Sequence, residues 1–419
     1  MRRIFQAVVF LRTFAIGIMA PVLALALLAH GASISTISLL LGAYSLTVIV
    51  MEFPSGVFAD LCGRKKAFLL SAILYLVCFT IVLFSKSMPA LLVAMVVNGL
   101  GRAFSSGSIE ALAIDDAVAN GAILAKVTGQ LSILESAGLA AGALAGGWLS
   151  GIGAAYTGNI LGSLALYGLL LFLALFFVKE QRMQAEHEAE TTGSRIGAQV
   201  RESVAFMAQK GLVRVLLVFA FLTGFALLSI ETYWQPALNA LSPAPWLLGA
   251  VSFAGFFCTI LGSKAVECAL VKKPEHGVIW LLAGKAMFGV CLIVLLFQFQ
   301  TPFFVGVYML SYLFLGGTSV AENTLLNGMV APSRRASILS LSSFVLQIGG
   351  LFASLTGYVV SARMAYRNMW LIAGLLLLSG VAAFTLVHAK QRLRKKEENV
   401  QEPLVEEQVE ETPEMKQEI

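Results

Sequence analysis

Long apolar runs separated by short polar segments dominate the hydrophobic pattern of this chain. Each run has about 20 residues, the length that a helix needs to cross a hydrocarbon core of roughly 30 Å. The pattern therefore predicts twelve membrane-spanning helices. The predicted spans cover residues 7–29, 36–58, 67–85, 89–109, 128–150, 155–178, 211–236, 246–267, 277–298, 302–323, 338–360 and 366–388.

Two polar stretches divide the chain into predicted units. Residues 179–210 form the longest polar stretch before the tail, and they are expected to be a cytoplasmic linker between two six-helix lobes, residues 1–178 and 211–388. Residues 389–419 start basic and turn acidic, with little apolar content near the end. They predict a disordered cytoplasmic tail whose basic part contacts anionic lipid headgroups.

The two predicted lobes repeat one spacing. Glu110 precedes Gly138 by 28 residues (138 − 110), and Glu322 precedes Gly350 by 28 residues (350 − 322). Such repetition is expected of a protein whose halves move against each other around a central site. The sequence thus predicts an all-α membrane protein with twelve transmembrane helices in two pseudo-repeated lobes. Both glutamates lie near inner helix ends, where we expect hydration and a structural role.

Composition supports a membrane protein and gives no sign of an enzyme. Hydrophobic residues make up 58% of the chain and charged residues 13%, whereas a soluble domain has about 25% charged residues. The five cysteines have no metal-ligand spacing, and the sequence shows no catalytic-triad pattern and no phosphate-binding loop. We therefore expect no metal, no cofactor and no enzymatic activity.

The distribution of cations predicts the orientation. With the N-terminus inside, cytoplasmic segments hold 24 of the 29 Lys and Arg residues, Arg12 among them, while outer segments hold three and the spans two, Arg102 and Lys285. This asymmetry is typical of a multi-pass protein of the cell membrane with both termini in the cytoplasm. The net charge of +5 is then a topology signal, and the scattered cations predict no nucleic-acid binding.

The segment between the second and third predicted spans concentrates charge in an apolar context. One carboxylate, one turn glycine and three cations predict a short hinge at the cytoplasmic face. Gly56, Asp60, Gly63, Arg64 and Lys65 match the signature G-x-x-x-D-x-x-G-R/K-R/K position by position. On these residues the chain resembles the major facilitator superfamily of secondary transporters. The resemblance implies a twelve-helix transporter of a small molecule.

The same motif predicts a gate. Asp60 is expected to hold the inner gate, because its carboxylate can accept bonds from an arginine or a helix N-terminus when the lobes close. Leu61 departs from the family pattern, which often has a basic residue there.

A glycine face on the fifth predicted span points to close helix packing. Gly138, Gly142, Gly146 and Gly147 present small residues to a partner helix. The pattern resembles the antiporter signature of the superfamily, with Ala143 in place of the proline. The run from position 106 to 115 resembles a subgroup of bacterial facilitators with S-G-x-x-E-A-L near helix 4. Together they imply drug-efflux-like antiport, and simple helix packing is the alternative for the glycines.

Ionisable residues inside predicted spans are candidates for ion coupling. A charge at the membrane centre costs about 2.5–3.5 kcal/mol on insertion scales, so each needs a structural or functional reason. Glu52, Arg102 and Glu135 are the coupling candidates, and protons are the expected coupling ion, because buried carboxyls exchange protons near neutral pH. The alternative for Glu52 is a fixed ion pair with Arg102.

The end of the seventh predicted span combines a carboxylate, two aromatic side chains and an amide. Glu231, Tyr233, Trp234 and Gln235 are therefore substrate-binding candidates for an amphipathic cation, since aromatic faces and a counter-charge bind such ligands. Anchoring at the membrane interface is the alternative. Pro236 is expected to end the helix.

These observations predict a secondary active transporter, a proton-coupled exporter of small amphipathic compounds or drugs by alternating access. A metabolite importer of the same superfamily is one alternative, and a lipid-translocating or signalling membrane protein is another. The expected partners are a small-molecule substrate, protons and membrane lipids.

Overall fold

The computed structural model describes residues 2–106, 108–180, 211–241, 244–297, 300–329 and 335–386. Within these ranges the regular elements are helical and no strand occurs. Most of the predicted linker, residues 181–210, and the whole predicted tail, residues 389–419, lie outside the described residues. Their roles, and the domain boundaries that they define, stay predictions.

The first half of the chain forms eight helices. They are α1 (Arg3–Met19), α2 (Leu23–Ala29), α3 (Ile34–Cys62), α4 (Arg64–Phe84), α5 (Met88–Ser105), α6 (Ser108–Ala119), α7 (Leu124–Leu149) and α8 (Thr157–Phe176). The described part of the second half adds six. They are α9 (Gly211–Ala240), α10 (Trp246–Lys272), α11 (Gly277–Val294), α12 (Thr301–Met329), α13 (Arg335–Arg363) and α14 (Asn368–Leu386), with a 3₁₀ turn over Pro274–His276.

Ten helices in the described ranges are long and apolar enough to cross a membrane, with α5 and α6 counted as one span of 32 residues. The bent pair α1 and α2 gives an eleventh span. The 26-residue α7, whose many glycines and alanines lower its hydropathy, is the twelfth and packs between α1 and α10. The prediction of an all-α membrane protein with twelve helices in two six-helix lobes is confirmed.

Three local predictions were wrong. The first span is broken, because α1 and α2 meet at an angle of 51° around Pro21, which lacks a backbone donor. The charged hinge is a single residue, since α3 continues to Cys62 and α4 starts at Arg64, with Gly63 between them at φ 109°. Pro236 lies inside α9, which continues to Ala240. Membrane helices tolerate an internal proline when neighbours satisfy the freed backbone groups.

Among the described residues, the close contacts between the lobes lie at one end of the helix bundle. We call the end that carries Arg64–Lys66 the basic end, and the opposite one the far end. At the far end α3 packs on α13 and α7 packs on α10. At the basic end of α3 the side chains of Phe53 and Leu61 are exposed, and nothing lies within 4 Å of a side chain built at Gly56. In the part of the chain that the structure describes, the lobes are closed at the far end, and Gly56 at the basic end of α3 has no neighbour from the other lobe within 4 Å of its Cβ position.

Candidate functional site

A polar cavity of about 200 Å³ lies between the two lobes. Helices α3 and α5, with the residue after α5, form one wall, and α13 forms the other. Its polar lining comprises Tyr44, Ser45, Glu52, Arg102, Ser106 and Gln347. Since both lobes contribute, a solute held here would touch both halves of the molecule.

Glu52 and Arg102 face this cavity as opposite charges. Arg102 lies beside the hydroxyl of Tyr44, and Glu52 is among the carboxylates whose field reaches it. Within the described ranges, however, neither Glu52 nor Arg102 forms an ion pair. The structure therefore does not show the fixed Glu52–Arg102 pair that was the alternative interpretation.

A second charged cluster lies inside the first lobe. Arg12 of α1 is only 5% exposed. Its guanidinium pairs with Glu110 of α6 and, at 2.9 Å, with Glu135 of α7, and it donates to Ser105 at 3.2 Å. Arg12 is thus an intramembrane residue rather than the surface cation of the topology count. Glu110 is likewise a buried ion-pair partner instead of a hydrated helix end.

The charges around Arg12 and Arg102 in the first lobe do not balance. Two cations, Arg12 and Arg102, lie near three carboxylates, Glu52, Glu110 and Glu135. One formal negative charge is left over. Glu52 is exposed, whereas Glu110 and Glu135 share the buried cation Arg12, so a proton or cation bound to these two carboxylates would balance their charge.

The second lobe has a balanced counterpart. Lys285 of α11 is 1% exposed, pairs with Glu322 of α12 at 2.8 Å and donates to the hydroxyl of Thr223 on α9. The repeated 28-residue spacing predicts that Glu110 and Glu322 are equivalent. The prediction that both lie at hydrated helix ends is wrong, since each pairs with a cation inside its lobe. Nothing in the sequence indicated which cations pair with them, because these come from helices distant in the chain.

The lobes differ in where the cation comes from. Adding 212 (322 − 110) to the number of a residue in the first lobe gives the equivalent position in the second lobe. Glu135 then corresponds to Gln347, and Arg12 corresponds to Gly224, which is next to Thr223. The second lobe therefore has neutral residues where the first has a carboxylate and an arginine, and it draws its cation from α11.

Polar bonds close the far end. The hydroxyl of Tyr233 contacts Ser38 of α3 and donates to the carbonyl of Gly357 at 3.1 Å. The Gln235 amide bonds both sides of the break in the first span, donating to the Ala20 carbonyl at 2.8 Å and accepting from the Ala24 amide at 2.9 Å. These two predicted substrate residues hold the lobes together in this conformation.

Glu231 and Trp234 lie apart from those bonds, against α12. The hydroxyl of Tyr312 donates to Glu231, and Tyr308 and Trp234 lie next to the same carboxylate. The ring centroids of Trp234 and Tyr308 are 5.1 Å apart. The structure thus brings three aromatic side chains around Glu231, two of them from α12, which the sequence did not indicate.

The motif residues form a bonded turn at the basic end. Glu180, just after α8, accepts from the backbone amide of Arg64 at 2.7 Å, as an acidic group does at a helix N-terminus. The Arg64 side chain pairs with Asp115 of α6, and Lys65 donates to a carbonyl of α8 at 3.0 Å. In the described part of the chain Asp60 is exposed and forms no ion pair. The turn is therefore bonded to its own lobe, while Asp60 is exposed.

The glycine face of α7 contacts two different helices. Gly138, Gly142 and Gly146 lie against the backbone of α1. Gly147 instead faces α10 of the other lobe, and a Cβ atom there would lie 2.7 Å from the Cα of Gly249. Three glycines thus pack within a lobe, and the fourth lies between lobes.

Comparison with known proteins gives the family. Residues 7–271 match the model of the Major Facilitator Superfamily. The chain is 24% identical to the uncharacterized MFS-type transporter YxaM of Bacillus subtilis (strain 168), over 92% of this chain and 95% of the relative.

Solved structures share the fold. The nucleoside transporter NupG matches 91% of this chain and 98% of its own, with a TM-score of 0.74 and 15% identity. A D-xylose-proton symporter matches 90% of this chain and 94% of its own, with a TM-score of 0.65 and 12% identity. The chain belongs to the major facilitator superfamily and is a multi-pass membrane transport protein, not an enzyme.

Proposed function

We propose that this protein is a proton-coupled secondary transporter that moves a small polar solute through the interlobe cavity by alternating access. The observation that carries the proposal is the cavity itself, which both lobes line, and which lies between lobes that are closed at the far end. Rocking the lobes about such a site would expose it to each side of the membrane in turn.

The orientation follows from the basic end. Clusters of Lys and Arg in short loops mark the cytoplasmic side. We therefore place the basic end in the cytoplasm, both chain termini inside and the protein in the cell membrane. In this orientation the structure is the inward-open state, and the bonds of Tyr233 and Gln235 form the closed outer gate.

The charge imbalance of the first lobe supports proton coupling. One proton on Glu110 or Glu135 would neutralise the leftover charge. The side chain of Glu135 is 36% exposed and that of Glu110 is 17% exposed, so Glu135 is the more accessible of the two to water. We assign the coupling role to Glu135, whereas Glu52 faces the solute cavity.

Glu135→Gln is expected to abolish gradient-driven accumulation and to preserve solute exchange, because the amide keeps the shape of the side chain and cannot release a proton. The measurement is uptake into proteoliposomes, with and without a pH gradient, of a panel of nucleosides, sugars, amino acids and cationic dyes. Glu275→Gln, in the exposed 3₁₀ turn, is the matched control. If the Glu135→Gln variant still accumulates solute under a pH gradient, Glu135 is not the coupling residue.

Asp60→Asn is expected to leave expression and thermal stability unchanged and to reduce transport at least tenfold. Asp60 forms no ion pair with another described residue, and we propose that it makes a charged contact with the other lobe when the basic end closes, worth about 1.5–3 kcal/mol for a hydrogen bond to a charged group. Initial rates in the same vesicles test the change. Wild-type rates in this variant would exclude a gating role for Asp60.

Export of amphipathic cations is a second candidate, favoured by the three aromatic side chains around Glu231. Aromatic faces with a counter-charge bind such cations. Efflux of a cationic dye from cells, and its collapse under a protonophore, tests this function and its direction. Accumulation of polar solutes without dye efflux would favour the first candidate.

A further inference from the structure

Two opposite charges face one small cavity without contacting each other. Arg102 from α5 and Glu52 from α3 both line the interlobe cavity, and neither forms an ion pair in the described chain. By contrast, the buried cations Arg12 and Lys285 each pair with a carboxylate. Charges inside a membrane protein normally have partners because isolated ones are costly. A cation and an anion of the protein therefore line the same cavity without contacting each other, and a ligand can fill the space between them.

We propose that the cavity binds a small zwitterion of the amino-carboxylate class. The Arg102 guanidinium receives the carboxylate of the solute, for which its planar donors are suited. The Glu52 carboxylate receives the ammonium group. This inference rests on the proposed transport function, since it names the substrate class of the same cavity.

The neutral lining completes the site. The Tyr44 hydroxyl lies beside Arg102, where it can donate to the same carboxylate. Gln347 enters from α13 of the other lobe and offers both a carbonyl and an amide nitrogen. A solute bound to Arg102 and Gln347 would contact both lobes, and such contacts can favour the closed state over the open one.

Size and charge exclude other solutes. The cavity of about 200 Å³ is smaller than the roughly 300–1,000 Å³ typical of sites for drug-sized ligands. A solute with only a positive charge would be repelled by Arg102, and one with only a negative charge by Glu52. A neutral solute would leave both charges without partners.

Ligand-induced thermal stabilisation of the full-length protein in detergent tests the class. The panel contains the standard amino acids with uncharged side chains and 4-aminobutyrate. Each binder is then compared with its methyl ester, which carries only the positive charge, and with its N-acetyl derivative, which carries only the negative charge. We expect zwitterions to bind at least tenfold more tightly than either derivative.

Two variants assign the contacts. Arg102→Gln should weaken zwitterion binding about tenfold to a hundredfold, as expected for the loss of a bond to a charged group, while the methyl ester is affected less. Glu52→Gln should weaken zwitterion binding by a similar factor, while binding of the N-acetyl derivative is affected less. A merely structural role would weaken all three ligands equally. Lys126→Gln and Glu275→Gln, both exposed and outside the cavity, are the matched controls.

The possible failures are distinguishable. Equal binding of a singly charged derivative, uniform weakening in the two variants, or no stabilisation by any panel member would each overturn the zwitterion inference. Gradient-driven flux of another solute in the proteoliposomes would then leave the transport proposal standing. Absence of flux for every solute tested there would remove the transport proposal too.

Discussion

Replacing Arg12 with methionine is expected to abolish transport and to lower the thermal stability of the protein strongly. The substitution keeps most of the side-chain volume but leaves Glu110 and Glu135 without their shared cation. Removing one partner of a buried ion pair costs about 3–5 kcal/mol, because the remaining charge has no compensation. The loss is measured as the apparent melting temperature of the purified protein, together with proteoliposome uptake.

The second lobe provides the comparison. Lys285→Met should destabilise the protein similarly, and Lys285→Met with Glu322→Gln should restore stability, since that pair is balanced. In the first lobe Arg12→Met should need both Glu110→Gln and Glu135→Gln for full recovery. If Arg12→Met with Glu110→Gln alone recovers fully, the bond between Arg12 and Glu135 adds nothing to the stability of the folded protein.

Gly142→Leu is expected to prevent correct assembly of the first lobe. A Cβ atom at this position would lie 2.9 Å from the Cα of Gly17 and closer still to the Phe14 carbonyl. Backbone atoms cannot move aside as a flexible side chain can, so α1 and α7 would be forced apart. Overpacking typically costs about 1–3 kcal/mol, and here it would also displace Arg12 from Glu135. Yield of monodisperse protein and uptake rate are the measurements.

Gly168→Leu is the matched control for that substitution. It makes the same change on α8, where nothing lies within 4 Å of the added Cβ atom. This variant should behave like the wild type. Normal assembly and transport by Gly142→Leu would show that the close approach of α1 and α7 is dispensable.

The sequence was sufficient to predict the helices and their number. The thickness of the membrane, and not tertiary contacts, sets the length of each apolar run, so the runs can be recognised in the sequence alone. The errors lie where neighbouring helices decide the local structure. Pro236 stays within α9, and the charged motif turns at Gly63 alone, because packing and bonds such as that of Glu180 override the local preference.

The site could be predicted only in part. Residue type and depth indicated Glu52, Arg102 and Glu135, and the structure places the first two on the cavity and the third in the Arg12 cluster. The ion pairs could not be predicted from the sequence. Arg12 is more than 90 residues from both of its carboxylates, and no sequence pattern connects the helices of Lys285 and Glu322. Arg12 is a case in point, since the topology count assigns it to the cytoplasmic segments although it lies inside the predicted span 7–29.

The unequal charge of the two lobes has an electrical consequence. The Lys285–Glu322 pair is neutral in every step, so the membrane potential exerts no net force on it. The first-lobe cluster changes between one negative charge and none as the proposed proton leaves and binds. Moving one charge through the whole potential is worth about 2.3 kcal/mol per 100 mV. Voltage would therefore act on the deprotonated Arg12 cluster during the return of the carrier, and exert no net force on the Lys285–Glu322 pair.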